Sequence, residues 1–172
     1  IGIRLRAAAL AIDGTSVLLL SFLFGPWVGT RLGLDVYAGQ GPGAGGMMAG
    51  AMAGTTLIGL LWFGTEALWA ATPGKRLLGL RIGTAEGRAA TRRRLAARWA
   101  LKNAATVLAL LAVVAGLNAP RLSAPVAMLS KVVLAVLVAG CFLASGERRQ
   151  ALHDRLAGTA VYRRADLSAE AP

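Results

Sequence analysis

Four apolar blocks, each about twenty residues long, constrain this chain more than any other feature. They cover approximately residues 5–28, 47–71, 99–117 and 126–144, and a helix of about 20 apolar residues crosses a hydrocarbon core of about 30 Å. The chain is 56% hydrophobic with a mean hydropathy of +0.59, and that pattern excludes an ordinary soluble domain. The expected fold is an all-α membrane protein, a four-helix transmembrane bundle. It would form one domain over residues 1–164, followed by a disordered tail over 165–172.

The net charge of +11 would suggest nucleic acid on a soluble protein. Its distribution points instead to membrane topology, because the basic residues flank the apolar blocks. All Lys and Arg except Arg31, Arg121 and Lys131 fall on one side of a four-span arrangement. That side is expected to be cytoplasmic, with both termini there, in a multi-pass protein of the cell inner membrane. The expected partners are the bilayer and anionic lipid headgroups, with no nucleic acid. Arg4 and Arg6 imitate the basic start of a signal peptide. Asp13 inside the apolar run and the lack of a small-x-small cleavage site argue against one. The sequence opens at Ile1 rather than Met, so part of the native N-terminus is expected to be missing.

Between the blocks the chain changes character. Gly39–Gly46 is glycine-rich but lacks the following Lys and Ser/Thr of a phosphate loop. Gly46, Gly50 and Gly54 make a small-residue face on the second block, which suits close helix packing. Packing within the chain is the first reading and homodimerisation, or assembly into a larger membrane complex, the second. Pro73-Gly74 stops that helix. Leu78, Leu80 and Ile82 then alternate with Gly79 and Arg81 as in a strand, and Thr159–Tyr162 is a candidate partner strand for a small cytoplasmic sheet. Ala89–Lys102 carries Arg92, Arg93, Arg94, Arg98 and Lys102 and reads as a basic interfacial helix running into the third span. Gln150–Leu156 suits a short helix. With one Cys and one His there is no metal-ligand spacing, and His153-Asp154 has no accompanying nucleophile. No metal, no cofactor and no enzymatic activity are expected.

The charges that do not flank a block carry most information. Arg6 and Asp13 lie on one face of the first helix, nearly two turns and about 10 Å apart, too far to pair with each other. A charge at the bilayer centre costs about 2.5–3.5 kcal/mol on insertion scales, so each requires a partner from elsewhere. Glu66 in the second span, Arg98 at the start of the third, and Asp154 just outside the membrane fall at similar depth. The expected pairs are Asp13 with Arg98 or a neighbouring cation, and Arg6 with Asp154 or Glu66.

Three segments carry a resemblance: Arg6 to Asp13, Thr72-Pro73-Gly74-Lys75-Arg76-Leu77-Leu78-Gly79-Leu80-Arg81-Ile82, and Leu152-His153-Asp154-Arg155-Leu156-Ala157-Gly158-Thr159. In this order they resemble the RDD family, small and mostly bacterial membrane proteins named for one arginine and two aspartates. The resemblance implies that Arg6 is the family arginine and that Asp13 and Asp154 are its aspartates. It also implies a link to transport, including cation/proton exchange. Under that reading Asp13 and Glu66 carry the exchanged ion, and Arg6 or Arg98 positions Asp13. The competing reading is an accessory or scaffold subunit of a membrane complex in which the Arg/Asp network is structural.

Overall fold

The computed structural model describes residues 1–31 and 44–167; of the glycine-rich loop expected at Gly39–Gly46, residues 39–43 lie outside them and 44–46 are helical rather than loop, and the end of the tail at 168–172 also lies outside. Among the described residues, four helices are long and apolar enough to cross a membrane. They are α1 (Ile3–Arg31), α2 (Ala44–Trp69), α4 (Arg92–Asn118) and α5 (Pro120–Cys141). Their outward surfaces are apolar: Phe22, Leu61 and Met128 are exposed, whereas Asp13, Glu66 and Arg98 are buried. A soluble domain has the opposite arrangement; this one suits hydrocarbon as solvent.

The chain divides into two compact units, one of Ala11–Phe63 and one of Ile1–Leu10 with Gly64–Pro172. In the first, α1 and α2 run antiparallel. Gly54 sits against the backbone of Gly25, so close that a Cβ on Gly54 would collide with the Gly25 carbonyl oxygen. Gly54 therefore serves a contact inside the chain. For Gly46 and Gly50 only the helical backbone is described. The first block was expected to end near residue 28, but α1 runs on to Arg31, with Pro26 inside it. Proline is tolerated in spanning helices, where neighbouring groups satisfy the freed carbonyl.

The second unit holds the remaining elements. Helix α2 ends at Trp69, and Ala70 turns the chain with φ of 56°. The Thr72 hydroxyl accepts the Lys75 N–H at 3.4 Å and starts the short helix α3 (Pro73–Leu77), with Pro73 in its first turn. Strand β1 (Leu80–Thr84) follows. It begins two residues later than the alternation suggested, because Leu78 and Gly79 donate back to Gly74 and Arg76 in the helical turn and Gly79 takes a φ of 64°. Strand β2 (Thr159–Arg163) pairs antiparallel with β1, Leu80 opposite Arg163 and Thr84 opposite Thr159. The inward faces of this ribbon, Leu80, Ile82 and Val161, pack with Ala9, Ala70 and Leu95 into a small apolar core. That core ties the starts of α1 and α4 to the sheet.

Helix α4 starts at Arg92, capped by the Thr91 hydroxyl on the Arg94 N–H. The basic stretch expected to lie at the interface and the third apolar block are one continuous helix. Ala119 alone separates it from α5. Pro120 occupies the first turn of α5, where a missing N–H costs nothing, so the helix starts earlier than the expected residue 126. Ser130 Oγ donates to the Ala105 carbonyl at 2.8 Å and Ser123 Oγ to that of Ala112 at 3.0 Å, joining α4 and α5. A short 3-10 turn (Phe142–Ser145) leads to α6 (Leu152–Leu156). Ala165 and Asp166, expected in the disordered tail, complete a second 3-10 turn, Arg164–Asp166.

Candidate functional site

The second unit gathers its charges into one cluster at the ends of its helices. Arg6 comes from the first turns of α1, Glu66 from the last turn of α2, Lys75 from α3, Arg98 and Lys102 from α4, and His153 and Asp154 from α6. Glu66 is 1% exposed, Arg98 3% and Asp154 0%, so each pairing replaces water rather than competing with it. Arg98 is the hub. Its Nε donates to Asp154 Oδ1 at 2.7 Å and its Nη1 to Glu66 Oε2. Its Nη2 lies 3.4 Å from His153 Nε2. Because arginine only donates, that histidine nitrogen must carry a lone pair.

Each carboxylate is held by more than one cation. Glu66 Oε1 faces the Lys75 ammonium, and Oε2 takes Arg98 with Lys102 at 3.4 Å. Asp154 Oδ2 accepts Arg6 Nη1 at 2.5 Å and the Ala151 N–H at 3.3 Å, while Oδ1 takes Arg98. Arg6 is also fastened to backbone, its Nη2 donating to the Arg149 carbonyl at 2.7 Å and its Nε to that of Ile1 at 3.3 Å. Arg149 itself adopts a φ of 48°, a left-handed conformation uncommon for a non-glycine residue. Thr159 Oγ1 donates to the Asp154 carbonyl at 3.4 Å, and the Gln150 amide to the Thr159 carbonyl at 2.9 Å. The segment after α5 is thereby folded onto the cluster.

The electrostatics follow from this geometry. Burial works to raise the pKa of Asp154, but Arg98 and Arg6 outweigh it and hold the carboxyl well below its usual range. Burial, reinforced by Arg98, pushes His153 down to about 4. His153 is therefore neutral near pH 7, in agreement with its role as acceptor, and its 3.7 Å approach to Asp154 is not an ion pair.

Of the residues singled out from the sequence, Arg6, Glu66, Arg98 and Asp154 meet in this cluster, and Arg6 has the partner expected of it. The carboxylates that Arg98 holds are Glu66 and Asp154. A two-pronged guanidinium between two acids satisfies both, as one ammonium does not. Asp13 belongs to the other unit, where it is 2% exposed and accepts the Trp62 indole N–H at 3.0 Å. Lys75 and His153 were missed as members of the cluster. The signal for Lys75 was the Pro73-Gly74 turn after Glu66, which folds the next cation back over the helix end. No cluster of three or more His, Cys, Asp or Glu able to hold a metal occurs among the described residues.

The family model of the RDD family matches residues 2–158. No curated protein and no solved structure matches the chain.

Proposed function

The chain belongs to the RDD family, and from that premise we propose that it is a non-catalytic membrane protein, an accessory or scaffold subunit, whose charged cluster locks the cytoplasmic ends of its helices. The observation that carries this reading is the saturation of both acids in the cluster. Glu66 is met by Lys75, Arg98 and Lys102, and Asp154 by Arg6 and Arg98. A carboxylate that exchanges protons for cations must present itself to the incoming ion and let its pKa move through the working range. Glu66 and Asp154 face fixed protein cations instead, and an entering metal ion would meet Arg6, Lys75, Arg98 and Lys102 first. Such an arrangement suits holding four chain segments in register. The distribution of Lys and Arg supports a cytoplasmic location for the cluster and both termini, in the inner membrane, with anionic headgroups beside the basic face.

Cation/proton exchange through Asp13 is the second reading, favoured by one observation. Asp13 is a buried acid on a helix long enough to span. Reconstitution in liposomes separates the two readings. Under the scaffold reading, a sodium or potassium gradient drives no more proton movement with protein than without it, and the chain co-purifies with a defined membrane complex. Cation-driven proton movement by the wild type that disappears in Asp13→Asn, with Trp62→Phe shifting its pH dependence, overturns the scaffold reading in favour of exchange.

A further inference from the structure

On another face of the second unit lies a cleft of about 400 Å³ whose lining includes Trp69, Arg76, Arg81, Arg92, Leu95 and Arg164. Its size falls within the roughly 300–1,000 Å³ usual for small-ligand sites. Its charge is one-sided. Arg76, Arg81, Arg92 and Arg164 converge on it from α3, β1, α4 and the turn after β2, and among the described residues no acid lines it. Among the described residues none of the four forms an ion pair. Arg76 instead lies over the Trp69 ring, 5.8 Å from its centroid. The contrast with the neighbouring cluster is sharp, since there every arginine has a carboxylate.

Two further features bear on the occupant. Helix α4 opens at this cleft with Arg92, Arg93 and Arg94 and no acid in its first turn. Cations at the positive end of a helix dipole are unfavourable, and an anion there is favourable. Trp69 and Arg92 are also the terminal residues of two helices apolar enough to span, which puts the cleft at the boundary of the hydrocarbon, with Leu95 and Trp69 on its apolar side. We propose that this cleft is a binding site for a phosphate group, the one presented by an anionic phospholipid headgroup at the membrane surface. The arginines supply planar donor forks to the phosphate oxygens, and the apolar wall receives the glycerol end of the chains. The proposal requires only that the helices span a bilayer and does not depend on the role of the charged cluster.

The test is native mass spectrometry of the full chain in detergent, titrated with phosphatidylglycerol or phosphatidylcholine. The wild type should retain phosphatidylglycerol at least tenfold more strongly. Arg81→Gln with Arg164→Gln should weaken it about twenty-five-fold, taking about fivefold per basic residue. A charge-matched control, Arg148→Gln with Arg155→Gln, should stay within about twofold of the wild type, less than the loss of one such contact. All four arginines are exposed, so folding should survive, as checked by helical circular dichroism. If the first pair does not fold, Arg76→Gln with Arg92→Gln replaces it. Inorganic phosphate that binds lipid-free protein with the same dependence on the variants upholds the site and makes its source soluble. Equal retention of both lipids by the wild type, or an equal fall in the cleft and control variants, overturns the proposal.

Discussion

Asp154→Asn removes one charge and almost no volume, and it isolates what the ion pairs of the cluster contribute. In the wild type Asp154 bridges Arg6 at 2.5 Å and Arg98 at 2.7 Å. Taking away one partner of a buried pair costs about 3–5 kcal/mol, because the charge left behind stays out of water. Two details place this case at the lower end. Arg98 keeps Glu66, and the Arg6 side chain, 13% exposed, can recover some hydration. The asparagine oxygen can still accept one hydrogen bond, a net contribution of about 1 kcal/mol. The expected destabilisation is about 3 kcal/mol, or about 150-fold in the folded-to-unfolded ratio. Asp154→Ala should cost about 1 kcal/mol more, since the Ala151 N–H also loses its cap. Unfolding in mixed micelles with increasing dodecyl sulfate, followed by tryptophan fluorescence, gives these differences. Arg6→Gln in the Asp154→Asn background should cost less than in the wild type, by a coupling of about 1–3 kcal/mol. An Asp154→Asn midpoint within about 1 kcal/mol of the wild type, an ordinary surface-pair value, would refute the lock.

Two other measurements test the packing and the titration. His153 has a folded pKa of about 4 against an ordinary 6.5, so between those values the unfolded chain binds the extra proton. Its contribution is complete above pH 6.5 and declines as pH falls toward 4, by a few kcal/mol in order of magnitude; unfolding midpoints across that window should show the slope, and His153→Gln should flatten it. Gly140→Ala would place a Cβ 2.5 Å from Leu152 Cβ, forcing α6 away from α5, with a loss of about 1–3 kcal/mol and faster proteolysis at Arg148 and Arg149. Unchanged proteolysis would show that α6 does not depend on that contact.

Much of the cluster was legible because lipid penalises lone charge. Once Arg6 and Glu66 stand within or beside apolar runs, compensating charges at the same depth are required, and Asp154 and Arg98 were the residues available. The limits have physical causes. A search for charged partners overlooks neutral donors, so the Trp62 indole on Asp13 was not anticipated. Lys75 reaches Glu66 only because Thr72, Pro73 and Gly74 form a capped turn, and local turn geometry does not show in hydropathy. The sharing of Arg98 between two acids depends on where α6 docks. That docking is fixed by contacts such as Gly140 with Leu152, which sequence spacing does not encode. Pro26 lies inside α1, where water-based expectations about proline and helix ends do not transfer.

The order in which the ribosome delivers these residues gives the lock a temporal meaning. Arg6 is made first, then Glu66, Lys75 and Arg98, and Asp154 arrives 56 residues after Arg98 and 148 after Arg6. At about 5–20 residues per second, roughly 3–11 s separate Arg98 from its second acid. Throughout that interval the nascent cluster holds its four cations against Glu66 alone, and the β1 edge has no β2 to pair with. Of the cluster's members, the acid that neutralises Arg6 is thus translated last, so a chain that stops before Asp154 leaves Arg6 and Arg98 without that shared carboxylate.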